Sequence, residues 1–138
     1  MGFPVTIGSG IQYAIRAFLE EFKHGEAELL VKVNPAYGLP DLNKIMKELG
    51  AKEGSPRVNI FVDNIKYESM VNLYNQANIF LAPTRAEAFN IPCIEAMACG
   101  LPVITTNFGG QTDFVDNENG WIVPGELTFV IVTGKMLA

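Results

Sequence analysis

Ile11, Ile15, Phe18, Leu19 and Phe22 recur at helical spacing, with Glu20, Glu21 and Lys23 on the other side. This predicts an amphipathic helix ending at Gly25. Glu28-Leu-Leu-Val-Lys-Val33 then reads as a strand. Asp41 is placed to cap a second helix running through Leu49, and Gly50 to end it. Val58-Asn-Ile-Phe-Val62 is a further strand, followed by a helix from about Glu68 to Ala77 and a strand over Asn78–Ala82. After these come a helix of roughly Pro92 to Cys99, the strand Val103–Thr106, a short helix near Gln111 to Val115, and the strand Trp121–Val123. Apolar strands alternating with helices indicate a parallel sheet covered on both faces, a doubly wound, Rossmann-like three-layer α/β/α domain.

No internal repeat or linker divides residues 1–138, so a single domain is expected, with atypical ends at about 1–10 and 125–138. Met1 to Gly10 is short and Gly/Pro-rich for a strand and reads as truncated or replaced. Leu127-Thr-Phe-Val-Ile-Val132 is an apolar, β-prone run that would add an edge strand or mediate self-association.

At 138 residues and 49% hydrophobic composition the chain has material for a core. A net charge of −5 argues against general affinity for nucleic acid or anionic membrane. The amino terminus lacks the regions of a signal peptide and no stretch has the length of a membrane span, so a soluble cytoplasmic protein is expected. Cys93 and Cys99, six apart on one short helix, have neither metal-ligand nor disulfide spacing and read as core thiols. His24 reads as a cation at a helix end.

The chemistry concentrates in Glu87-Ala-Phe-Asn-Ile-Pro-Cys-Ile-Glu95-Ala-Met-Ala-Cys-Gly-Leu-Pro-Val-Ile. Pro92 suits the first turn of a helix, with Asn90 or Ile91 at the cap. Gly100 suits the position just past the helix end, and Pro102 blocks extension. Glu87 therefore lies in the loop before the helix, near free backbone N–H groups that favour an anionic ligand, and Glu95 lies a turn inside. In doubly wound sheets ligands bind beyond the carboxyl ends of the strands where strand order reverses, so the loops after Val33, Val62, Ala82 and Thr106 matter.

This segment resembles the donor-binding motif of the large retaining glycosyltransferase family with GT-B architecture, usually close to E-G-F-G-x-P-x-x-E-A-M-A-C-G-x-P-V. Here Ala88 and Asn90 stand at the two glycine positions. Asn107-Phe-Gly-Gly-Gln-Thr-Asp113 and Asp116-Asn-Glu-Asn-Gly120-Trp-Ile-Val123 resemble the family's following phrases. The resemblance implies the carboxyl-terminal, nucleotide-sugar-binding half of such an enzyme, with a nucleotide-diphosphate sugar as substrate and no metal or other cofactor. Glu87 would hold donor-sugar hydroxyls at the reacting centre. Glu95 would accept hydrogen bonds from the nucleotide ribose. The backbone N–H groups of Phe89, Asn90 and Ile91 would face the distal phosphate and sugar, and Gly109 and Gly110 would allow close backbone approach.

Each assignment has a plainer reading. Without the phrase, a loop Glu and a helical Glu are solvated charges. Asp113 is a ligand or a local cap, and Trp121 reads as a core anchor. Arg85 could reach phosphate, or is an exposed loop cation. The family's Arg/Lys pair in the first loop has no counterpart in Ile7-Gly8-Ser9-Gly10. Nor can 138 residues contain the amino-terminal acceptor domain that family members bring. The chain alone is therefore expected to be inactive, with that domain or a second copy as possible partner. The alternative is a non-catalytic nucleotide-binding or protein-interaction module of the same fold. A sugar-nucleotide epimerase is a more remote third reading.

Overall fold

The structure, a computed structural model, describes residues 2–6, 10–34, 41–85 and 87–125. Six parallel strands form one sheet: β1 (Gly2–Thr6), β2 (Glu28–Lys32), β3 (Arg57–Phe61), β4 (Phe80–Ala82), β5 (Val103–Thr106) and β6 (Gly120–Val123). Their spatial order is β3-β2-β1-β4-β5-β6, so the direction of winding reverses between β1 and β4. That pair shares only the register position Val5↔Leu81, against five positions between β1 and β2.

The first strand was not expected from the sequence, and it is the central one. Its pairing with β2 at all five positions places it in the sheet even though Pro4 has no N–H to give to a neighbour. The Leu127–Val132 run lies outside the described residues, as do Ile7, Gly8 and Ser9.

The helices are α1 (Ile11–Glu21), α2 (Leu42–Glu48), α3 (Met70–Tyr74) and α4 (Ile91–Ala98). Asp41 caps α2 as predicted, its carboxylate accepting from the Lys44 amide at 3.0 Å. Both α2 and α4 end in a glycine at positive φ, Gly50 and Gly100. At α4 the Gly100 amide donates to Met97 O and the Leu101 amide to Ala96 O, which satisfies carbonyls the helix leaves free. Two predicted helices are shorter: Glu68–Ala77 is a 3₁₀ turn (Tyr67–Ser69) leading into α3, and Gln111–Val115 is a 3₁₀ turn over Gly110–Asp113.

The two faces of the sheet carry separate cores. Ala14, Ile15 and Phe18 of α1 pack with Leu29, Val31 and Val33, joined by Ile45 and Met46 of α2 and by Leu81. Phe80, Ala82 and Val103 pack with Cys93 and Ala96 of α4, Tyr74 of α3, and Val115. Since Leu81 serves one core and its neighbours Phe80 and Ala82 the other, and strand side chains alternate in direction, the helices flank both faces. No helix among the described residues is long and apolar enough to cross a membrane.

Candidate functional site

The segment carrying Glu87 leaves the carboxyl end of β4, beside the order reversal. Gly10, which precedes α1, presses directly on it: a Cβ there would overlap the carbonyl of Pro83. The start of α1 and the segment after β4 thus meet at one rim.

The β4–α4 loop is secured by a threonine–glutamine network reaching from β5. Thr105 Oγ1 donates to Ala82 O at 3.1 Å, and Thr106 Oγ1 to Thr84 O at 2.7 Å. The fully buried Gln111 amide donates from Nε2 to Thr84 Oγ1 at 2.9 Å and to Phe108 O. Gln111 and Thr84 were not recognised as site-forming from the sequence. Paired polar residues just beyond two adjacent strand ends were the available signal.

Gly109 and Gly110 do permit close approach, and the partner they approach is the Glu87 loop. Gly110 N donates to Glu87 O at 3.4 Å. A Cβ at Gly109, where φ is +106°, would lie 2.6 Å from Glu87 O, and one at Gly110 would overlap Ala88 O and lie 2.8 Å from Phe89 Cα.

Asn90 is the cap residue of α4 and takes the left-handed conformation, φ 60° and ψ 59°. It is the lone non-glycine at positive φ among the described residues, at the position where the family pattern has glycine. Asn tolerates this region better than other residues with a Cβ. Its side chain is 2% exposed and Nδ2 has no partner. Phe89 and Ile91 flank it with exposed side chains, Phe89 leaning on Phe114 at 5.5 Å. Among the described residues no backbone acceptor meets the N–H of Phe89, Asn90 or Ile91, in keeping with the free donors of a helix start.

The two carboxylates have different neighbours. Glu87 is half-buried, its backbone held by the β5 loop, and its charge adds to the upward shift of the Cys93 thiol. That thiol is pushed up to about 12, chiefly by burial, and it packs in the core as expected. Glu95, also half-buried, faces α3: the Tyr74 hydroxyl donates to Glu95 Oε2 at 2.8 Å. Burial and that hydrogen bond hold the Tyr74 phenol far above its ordinary range. The exposed Tyr67 phenol is raised too, first by a hydrogen bond to Glu95.

Arg85 sits in the β4–α4 loop with its guanidinium 5.9 Å over the ring of Tyr13, which lies in the first turn of α1. This sets a positive charge against the start of α1, near the reversal point. Lys32, at the carboxyl end of β2, is committed to Val33 O at 2.7 Å. Asp113 is exposed on its 3₁₀ turn. Trp121 is 59% exposed, a correction to its reading as a core anchor. It lies on the edge strand, where Ile122 is the residue that packs inward.

The sequence matches the family described as glycosyl transferases group 1 over residues 10–128. It is 29% identical over 122 residues to an uncharacterised glycosyltransferase of Methanocaldococcus jannaschii, covering 87% of this chain and 30% of that protein. A D-inositol 3-phosphate glycosyltransferase of Acidothermus cellulolyticus is 32% identical over 81 residues, which is 58% of this chain and 18% of that protein. The chain thus spans less than a third of the length of these curated relatives. Among solved structures, the sucrose-phosphate synthase of Thermosynechococcus elongatus superposes with a TM-score of 0.71 at 26% identity, over 89% of this chain and 32% of that one. The carboxyl-terminal domain of a group 1 glycosyl transferase from Francisella tularensis superposes at 0.67 with 22% identity, over 89% and 67%, a likeness of fold.

Proposed function

Because this chain belongs to the glycosyl transferases group 1 family, we propose that its β4–α4 rim binds a nucleotide-diphosphate sugar and that the full-length protein transfers that sugar to an acceptor with retention of configuration. The observation that carries the reading is placement: the Glu87-to-Glu95 phrase begins where β4 ends, beside the reversal of strand order, the position at which doubly wound sheets hold ligands. The free amides at the start of α4 suit the phosphates, and a carboxylate such as Glu95 suits a ribose diol, since it offers acceptors alone. Glu87 holds hydroxyls of the transferred sugar next to the bond that breaks.

Glycosyl transfer from such a donor builds negative charge on the departing diphosphate, so fixed donors aimed at it lower the barrier. In this proposal the α4 amides and Arg85 supply that stabilisation, with no metal. The acceptor site is assigned to polypeptide beyond this chain, either an amino-terminal domain or a partner copy, and the chain by itself binds donor without turning it over.

Titration calorimetry with UDP-, GDP- and ADP-sugars tests the proposal. One donor is expected to bind, and Glu95→Ala to weaken it at least tenfold, as loss of a charge-assisted hydrogen bond implies. Absence of binding by all three, or affinity unchanged in Glu95→Ala, overturns it. The second reading, a non-catalytic nucleotide-binding or protein-interaction module, is favoured by the lack of any Lys or Arg in Ile7-Gly8-Ser9-Gly10. It predicts binding without donor turnover even when the acceptor half is supplied.

A further inference from the structure

Two phenols of opposite exposure bear on Glu95. Tyr74 ends α3 and is 2% exposed, its ring packed edge-on against Phe80 with centroids 5.9 Å apart. Phe80 is itself fully buried and opens β4, the strand whose carboxyl end leads to Glu87. The Tyr74 hydroxyl is therefore a fixed point, tied to the strand that also positions the first carboxylate. It donates to Glu95 Oε2 at 2.8 Å. Tyr67, on the 3₁₀ turn before α3, is 73% exposed, and its phenol too is raised by Glu95.

We propose that Tyr74 is a positioning residue of the donor site: its hydroxyl holds Glu95 Oε2 permanently, so that the carboxylate presents Oε1 to the vicinal hydroxyls of the ribose in a fixed orientation. This rests on the reading of Glu95 as the ribose ligand. A free glutamate would have to be immobilised at each binding event, and that ordering weakens binding. Tyr74 removes most of that cost in advance. Tyr74 stays a donor into alkaline pH, because burial and the neighbouring carboxylate keep the phenol protonated well above its ordinary range. An ionised carboxylate has about four lone-pair sites, so one bond from Tyr74 leaves room for a diol.

Tyr74→Phe keeps the ring in the core and removes only the donor. The test is a double-mutant cycle with Glu95→Ala, read by calorimetry with whichever of UDP-glucose, GDP-mannose or ADP-glucose binds the unaltered protein most tightly. Tyr74→Phe is expected to raise Kd about threefold to tenfold when Glu95 is present and to change nothing further in the Glu95→Ala background. An equal loss in both backgrounds would show a merely structural role and overturn the proposal, as would unchanged affinity in Tyr74→Phe while Glu95→Ala still weakens binding. If Glu95→Ala alone has no effect, the donor-site reading has failed and this inference with it. A second measurement does not depend on Tyr74→Phe folding. The Tyr74 hydroxyl proton should exchange slowly by NMR, persist when donor saturates the protein, and be lost in Glu95→Ala. Its loss on donor binding would mean the ligand displaces Tyr74, and would refute the assignment.

Discussion

Replacing Gly110 by Ala puts a methyl group between two loops that meet backbone to backbone. The new Cβ would overlap Ala88 O, and would stand 2.8 Å from Phe89 Cα and 3.0 Å from Ala88 C. Carbon atoms rest at roughly 3.5–4.0 Å from one another, so the β5 loop must retreat from the Glu87 loop by about 1 Å. Forcing a methyl into a filled site costs about 1–3 kcal/mol, and losing the Gly110 N–H to Glu87 O bond, already 3.4 Å long, adds about 0.5–1 kcal/mol. The expected destabilisation is therefore about 1.5–4 kcal/mol, read as a lower urea midpoint in circular dichroism. Donor affinity should fall at least tenfold, since a displacement of about 1 Å in a positioned group can cost about a hundredfold in function. Gly100→Ala, just past the carboxyl end of α4, is the control. Its φ is +79° with nothing within 4 Å of the new Cβ, so it should cost about 1–2 kcal/mol of stability through backbone conformation and leave donor affinity unchanged. If Gly110→Ala leaves both midpoint and Kd at the unaltered values, the contact between the two loops does not organise the site.

Two further outcomes follow from the charged and buried groups. Arg85→Ala should weaken nucleotide-diphosphate binding about threefold to tenfold at low salt, with the difference shrinking as ionic strength rises, because the guanidinium is exposed and screened; a salt dependence identical to that of the unaltered protein would remove Arg85 from the site. The Cys93 thiol rises from its ordinary 9.0 to about 12 in the fold, so the folded state keeps a proton that the unfolded chain surrenders, and the stability present below pH 9 is lost as pH climbs toward 12, by about 1.4 kcal/mol per unit. Urea titrations under reducing conditions between about pH 8 and 9.5 should show a steeper fall in the unaltered protein than in Cys93→Ala, where the raised Tyr74 phenol, ordinarily at 10.0, leaves a smaller slope; equal slopes would refute it.

Local signals carried much of the architecture. Helical spacing from Ile11 to Phe22 marked α1, Asp41 and Gly50 bracketed α2, and Pro92 with Gly100 bracketed α4, because caps and apolar periodicity are properties of a few neighbouring residues. Val103–Thr106 was legible to the residue. The central strand Gly2–Thr6 was not, since its place in the sheet comes from backbone pairing to Glu28–Lys32 and Leu81, which lie far along the chain. Trp121 was misassigned for a related reason: alternation along a strand says that Trp121 and Ile122 face opposite ways, and only the packed helices decide which face is covered.

The functional rim divides in the same way. Glu87 and Glu95 stand out in the linear text because their spacing brackets a helix start, and the family phrase follows from side-chain identity alone. Their environments do not. The Tyr74 hydroxyl on Glu95, Gly110 against the Glu87 loop, the buried Gln111 that ties two strand ends together, and Arg85 beside the first turn of α1 all join residues from separate elements. Short-range chemistry decides which elements form and which side chains they carry. Long-range packing decides which of those side chains meet, because such contacts exist only after the chain has closed the loops between them.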